Sequence, residues 1–96
     1  MTLDEIESHT DGQIIARRNM RLGLWAGMRL GLRDHRLADY TRDVMTADYR
    51  IAGPDDVIAK IRVDFDDHGV DLSEDLIRLE LQRLERQLRC ELLATD

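Results

Sequence analysis

Three glycines four positions apart, Gly23, Gly27 and Gly31, lie in the segment ARRNMRLGLWAGMRLGL, residues 16–32. Such a repeat occurs in phosphate-binding loops, in transmembrane helices that dimerise, and in water-soluble helices with one side free of side chains. A phosphate-binding loop needs a preceding strand and a Gly-Lys-Ser/Thr ending, and the sequence has neither. Arginines interrupt the apolar residues of the segment, which excludes a helix packed within a membrane.

The remaining interpretation is a soluble helix with a thin side, that is, a side without side chains. Glycines four apart form one stripe, along which a neighbouring helix can approach closer than the usual 8–10 Å or so. Each glycine inside a helix costs about 1 kcal/mol relative to alanine, so Gly23 and Gly27 indicate close packing or binding. Local opening of the helix is the alternative, and the sequence does not separate the two. Gly31 is predicted to end the helix in a left-handed conformation, with Leu32 folding back onto it.

The rest of the chain is also predicted to be helical. Its 96 residues are enough for one domain, and 4% aromatic residues with few β-branched residues argue against a sheet. We predict an all-α fold: a flexible N-terminal segment, 1–15, followed by a small four-helix bundle-like domain, 16–96. The apolar repeats and start signals predict helices at about 13–31, 35–49, 54–68 and 74–93. Short connections predict that neighbouring helices pack antiparallel.

Local signals set these boundaries. Asp34 and Ser73 are predicted to be N-caps, and Pro54 to be the first residue of the third helix. Gly69 is predicted to end that helix. Cys90 is the one cysteine, so no disulfide can form within the chain, and we expect it to be a half-buried apolar residue.

Charge, hydropathy and residue spacing argue against several classes of protein. The net charge of −6 disfavours a nucleic-acid-binding protein. No run of about twenty apolar residues is present, so we predict no insertion into a membrane and a cytoplasmic location. The histidines, serines and acidic residues lack the spacing of a metal site or a nucleophile, so we predict no catalytic residue and no metal site.

The arginines near the start of the first helix are the best candidates for binding. Arg17, Arg18 and Arg21 lie within one and a half turns, and they are either a solvated helix end or an anchor for a carboxylate or phosphate of a partner. Trp25 is either a core residue or part of a binding surface. The residues alone thus indicate an interaction module and not an enzyme.

Several segments match one known family. Over about residues 16–85 the chain resembles the zeta subunit of α-proteobacterial ATP synthases, a family of ATPase inhibitors. The first matching segments are Ala16-Arg17-Arg18-Asn19, Leu22-Gly23-Leu24-Trp25-Ala26 and Leu30-Gly31. The later ones are Tyr40, Val44, Ala47-Asp48-Tyr49, Gly53, Asp56-Val57, Gly69-Val70 and Ser73-Glu74.

The resemblance implies a regulatory subunit that is monomeric when free and lies at the periphery of the membrane-bound synthase. Its partners would be the subunits of the catalytic head. Its N-terminal segment would become helical at their interface and block rotation in the direction of hydrolysis, but not in that of synthesis. The residues that would contact the partner are Leu3, Ile6, Ile14, Ile15, Arg17, Arg18, Asn19 and Arg21.

A family member without inhibitory activity is the alternative. Residues 1–16 contain neither Phe nor Lys, whereas the inhibitors of this family carry both in the corresponding segment. Such a protein would be an interaction module or a helical domain that binds ADP or ATP weakly; no other cofactor is expected. The groove that would bind the nucleotide, or pack against a helix, consists of Gly23, Trp25 and Gly27.

Overall fold

The computed structural model describes residues 3–47 and 54–93, and the side chains of residues 12–47 and 54–92. These residues form four α-helices and no strand, which confirms the predicted all-α fold class. The helices are α1 (Leu3–Arg29), α2 (Asp34–Ala47), α3 (Asp55–Asp67) and α4 (Glu74–Leu93). The molecule is elongated, with extents of 47 × 26 × 24 Å.

The first helix is longer than predicted. It begins at Leu3, whereas the sequence predicted a start near Gln13, and it ends at Arg29. Gly12 lies inside this helix, because the cost of one exposed glycine, about 1 kcal/mol, is too small to end it. Independent motion of residues 1–15 stays a prediction.

Glycines end α1 and α3 in the same way. Gly31 has a φ of 82°, and the Leu32 N–H donates to the Gly27 carbonyl at 2.9 Å. Gly69 has a φ of 70°, and the Val70 N–H donates to a carbonyl of the last turn of α3 at 2.8 Å. Both ends are Schellman motifs, in which the left-handed residue favours glycine. The predicted role of Gly31 is confirmed.

The structure confirms one of the two predicted N-cap residues. The Ser73 hydroxyl accepts a hydrogen bond from the Leu76 N–H at 3.3 Å, which confirms the N-cap of α4. The prediction for Asp34 is wrong, because Asp34 is the first residue of α2, with a φ of 53°. The Arg33 carbonyl, one residue earlier, accepts the first hydrogen bond of the helix, from the Leu37 N–H at 3.3 Å.

Pro54 was predicted to be the first residue of the third helix but lies one position before it. It precedes α3 as the N-cap residue, and its carbonyl accepts a hydrogen bond from the Ile58 N–H at 3.1 Å. The second helix was predicted to continue to residue 49. Residues 48–53, including the predicted loop Arg50–Gly53, lie outside the described part of the chain.

The core lies between all four helices. Packing contacts show that α1 and α2 are antiparallel, because Gly27 faces Leu37 and Gly23 faces Thr41. The ion pairs of Arg62 with Glu74 and of Asp55 with Arg78 show the same for α3 and α4. Cys90 is exposed, which corrects the expectation of a half-buried residue. It follows the buried Leu88 by two positions, about 200° around the helix, and so points away from the core. The buried core cluster is Leu22, Ala26, Val44, Val57, Ile58, Ile61, Phe65, Ile77, Leu81 and Leu84.

Candidate interaction surfaces

The glycine stripe of α1 packs against α2. A methyl group at Gly23 would lie 2.9 Å from the Cα atom of Thr41, closer than side-chain carbons approach a backbone. A methyl group at Gly27 would overlap Cδ1 of Leu37 and lie 3.3 Å from Cδ2 of Tyr40. The space beside these two glycines is therefore filled by α2 and is not open to a ligand.

Arg18 is directed into the molecule. The residue is 3% exposed, and Nη1 donates to Oε1 of Glu85 on α4 at 2.8 Å. Nε and Nη2 donate to Oδ1 of Asn19, at 2.9 and 2.7 Å, and Asn19 is also buried. This arrangement holds the middle of α1 to α4. It also means that Arg18 and Asn19, which the sequence suggested as partner contacts, are not on the surface.

The other two arginines of the predicted cluster differ from Arg18. Nη2 of Arg21 lies 2.8 Å from Oε2 of Glu91, and both side chains are partly exposed. Arg17 is exposed. The three arginines that are close in sequence therefore do not form one cationic site, because two of them bind acidic residues of α4.

A surface groove separates the first half of α1 from the end of α2. Ile15 is 39% exposed and contributes to this groove, whereas the neighbouring Ile14 is buried. The groove has a volume of about 440 Å³ and is mainly apolar. Leu3 and Ile6 lie on α1, but their side chains are outside the described part of the structure. The lining residues are Gly12, Ile15, Ala16, Asn19, Arg42, Met45 and Thr46.

Trp25 lies on a different side of α1 from the glycine stripe. Its ring packs on Phe65, with the ring centres 6.0 Å apart and the planes at 58°. The rest of the ring borders a hollow of about 390 Å³ between α1 and α4, which we name the α1–α4 hollow. Gly23, Gly27 and Trp25 therefore do not form the single groove that the sequence suggested. The hollow is lined by Trp25, Arg29, Leu72, Leu76, Leu79, Glu80, Arg83 and Arg86.

The leucines of this hollow are functional candidates that were not predicted from the sequence. Leu76 and Leu79 are 48% and 58% exposed, and they lie outside the buried seam of α4 that contains Ile77 and Leu81. Their positions relative to that seam are the signal that could have identified them. Apolar residues that miss the core-facing stripe of a helix lie on its outer surface.

A polar cluster joins α2 to α3. The Tyr40 hydroxyl donates to Oδ2 of Asp64 at 2.8 Å, and Nζ of Lys60 lies 3.1 Å from the same oxygen. Burial is the main cause that raises the pKa of the Tyr40 phenol above its ordinary value, followed by the hydrogen bond to Asp64 and the negative charge of that carboxylate. The cluster has a structural explanation, because each of its polar groups has a partner.

Neither a metal site nor a membrane-spanning helix is present among the described residues. Among residues 3–47 and 54–93, no three His, Cys, Asp or Glu side chains are grouped so that they could hold a metal ion. None of the helices in these ranges combines the length and the apolar character that crossing a membrane requires. Apolar side chains line both the groove beside Ile15 and the α1–α4 hollow.

Comparison with known proteins identifies the family. The family model described as ATPase inhibitor subunit zeta matches residues 7–91. No curated protein matches the chain. The matched residues include most of α1, all of α2 and α3, and α4 up to its last turn. Because the match covers far more than half of the sequence, the chain belongs to the ATPase inhibitor subunit zeta family.

Proposed function

We propose that the protein is a regulatory subunit, not an enzyme, that binds the catalytic head of a bacterial ATP synthase and inhibits ATP hydrolysis through its N-terminal segment. It would act in the cytoplasm, at the periphery of the membrane-bound synthase. The name of the family supports an inhibitor of an ATPase. The structural observation that carries the proposal is the length of α1, whose first turns continue past Ala47, the last described residue of α2.

The register of the two helices gives this extension. Gly27 faces Leu37 and Gly23 faces Thr41, so α1 and α2 run in opposite directions. Gly12 and Thr46 still line one groove, and Thr46 is one residue before Ala47, where the described part of α2 ends. Residues 3–11 thus form an extension of about 13 Å past the described part of α2, given a rise of 1.5 Å or so per residue. A helical extension of this kind suits insertion between two subunits of a partner.

The part of α1 that directly follows the extension, residues 12–17, is named here the root of the extension. It presents two exposed side chains to a partner. Ile15 supplies apolar surface, and Arg17 supplies a charge that can bind a carboxylate. Arg18 and Arg21, in contrast, bind acidic residues of α4 in the free protein. Under this proposal these two arginines position the root of the extension, and they do not contact the partner unless α1 separates from α4.

The test is ATP hydrolysis by the synthase of the same organism, measured with purified full-length protein and with protein lacking Met1–Gln13. We expect the full-length protein to suppress hydrolysis without suppressing synthesis, and the truncated protein to suppress neither. Equal suppression by both proteins would show that the N-terminal segment is not the inhibitor. No suppression by either would favour the alternative, a family member that acts only as an interaction module.

A pair of substitutions tests the contact itself. Ile15→Asp places a charge on the exposed root of the extension, and Val63→Asp places the same charge on the exposed side of α3, where Val63 is 55% exposed. Ile15→Asp should weaken inhibition by about tenfold or more, as expected when a central apolar contact is lost. Val63→Asp should leave inhibition unchanged. Equal inhibition by the two variants would contradict the proposed contact.

A further inference from the structure

The α1–α4 hollow has the apolar character of a binding site. Its two exposed leucines, Leu76 and Leu79, lie one turn apart on α4 and border the partly buried ring of Trp25. An isolated exposed leucine is ordinary, but leucines and a tryptophan around one depression form a contiguous apolar patch. Such a patch is typical of surfaces that bind another protein.

The rim of the hollow is positively charged. Three arginines and one glutamate line it, so its formal charge is 3 − 1 = +2, whereas the whole chain has a charge of −6. The Arg29 guanidinium lies 5.2 Å from the centre of the Trp25 ring, and Arg83 binds Glu80 with Nη2 2.6 Å from Oε1. Arg86 is exposed. The local charge is thus opposite to that of the rest of the molecule.

We propose that the α1–α4 hollow binds an acidic amphipathic helix of a partner protein. The apolar face of such a helix would pack on Leu76, Leu79 and Trp25. Its carboxylates would bind Arg29 and Arg86, whose guanidinium groups can donate two parallel hydrogen bonds. Arg83 already donates to both carboxylate oxygens of Glu80 and adds positive charge beside them. The proposal goes beyond the inhibitory segment, because the hollow includes α4 and lies on a different side of α1 from the groove beside Ile15.

An anionic membrane is the other surface that leucines and arginines can bind. Two observations favour a helix. The hollow is a shallow depression along two helices, which a ridge of side chains can enter, and the net charge of −6 would repel an anionic surface on all other sides. A helix, unlike a bilayer, contacts the positive region alone.

The test uses a synthetic helical peptide of about four turns, with leucines along one face and glutamates elsewhere. Trp25 reports binding directly, because it is the one tryptophan of the chain and it lines the hollow. We expect the peptide to shift the fluorescence of Trp25 saturably, and to shift the NMR signals of Leu76 and Leu79. Lysines in place of the glutamates, or serines in place of the leucines, should abolish both effects.

Variants of the full chain complete the test. Arg83→Glu with Arg86→Glu reverses two charges at the hollow, and we expect it to weaken binding of the peptide by about tenfold or more. Arg33→Glu with Arg36→Glu makes the same change in net charge at exposed positions outside the hollow and outside the groove beside Ile15, and should not alter binding. Circular dichroism would establish that both variants are folded.

Three outcomes would overturn the proposal. One is the absence of binding by the wild-type chain. Another is equal binding by the two double variants. The third is a Trp25 response to vesicles of phosphatidylglycerol but not to the glutamate peptide, which would assign the surface to lipid. None of these measurements depends on the synthase, so the result stands apart from that of the hydrolysis assay.

Discussion

At Gly23 the backbone of α2 approaches α1 so closely that a methyl group has no space. We predict that Gly23→Ala lowers the free energy of unfolding by about 1–3 kcal/mol, even though alanine favours a helix. The obstacle is the Cα atom of Thr41, which can move only with the whole of α2. Urea unfolding followed by circular dichroism measures the change.

Gly12 provides the matched control for that substitution. It lies in the same helix, is exposed, and has no atom within 4 Å of the position of an added methyl group. Gly12→Ala should therefore raise the free energy of unfolding by about 0.5–1 kcal/mol, through helix propensity alone. If both substitutions stabilised the protein, the close contact between α1 and α2 would be refuted.

Tyr40 makes the free energy of unfolding decrease at alkaline pH. Its folded-state pKa is raised, so below the unfolded pKa of about 10 the phenol is protonated in both states and its contribution to stability is fully present. Above that pH the unfolded phenol ionises first, and the free energy of unfolding falls. The free energy of unfolding of the Tyr40→Phe variant, measured with urea, should fall less steeply between about pH 9 and 11. Identical slopes for the two proteins would contradict the raised pKa.

At the scale of helices, the attachment of α1 to α4 depends on two ion pairs of different burial. Glu85→Gln weakens the partner of the buried Arg18, and we expect it to lower the free energy of unfolding by about 1–3 kcal/mol. Glu91→Gln changes the more exposed pair with Arg21 and should cost less than about 1 kcal/mol. Thermal unfolding of the two variants gives the comparison. Equal costs would mean that the burial of Arg18 does not set the strength of this contact.

Local signals explain which helices could be predicted. The start of α2, both ends of α3 and the start of α4 lie within one residue of the prediction, because glycines, Pro54 and Ser73 mark these points by backbone conformation or capping. The predicted end of α2, at residue 49, lies outside the described residues. The start of α1 was missed by ten residues. Gly12 lies inside the additional part of the helix, because the effect of one glycine on a helix is an energy cost that the rest of a long helix can offset.

The candidate surfaces could be predicted only in part. The thin side of α1 follows from the spacing of Gly23 and Gly27, which is a property of one helix. The interior position of Arg18 depends on Glu85, which is 67 residues away in the sequence. Similarly, Leu76 and Leu79 form a surface because Trp25 of another helix lies beside them. Contacts between distant segments of this kind are not visible in a local pattern.

For the whole molecule, stability and the proposed inhibition belong to different parts of the chain. Among the residues whose side chains the structure describes, the buried core cluster begins at Leu22 and ends at Leu84, and the buried Ile14 lies after the extension, residues 3–11. We predict that deletion of residues 1–11 lowers the free energy of unfolding by less than about 1 kcal/mol, because this cluster stays complete without them. Urea unfolding of the full-length and truncated proteins measures the difference.

This prediction decides how loss of inhibition by a truncated protein is to be interpreted. If the truncated protein unfolds cooperatively at nearly the same urea concentration, any loss of inhibition comes from the missing contacts of the extension and not from a damaged bundle. The α1–α4 hollow would then remain intact, and the truncated protein should still bind the acidic helical peptide. A truncated protein that is much less stable would show instead that the extension packs against the bundle and is part of its fold.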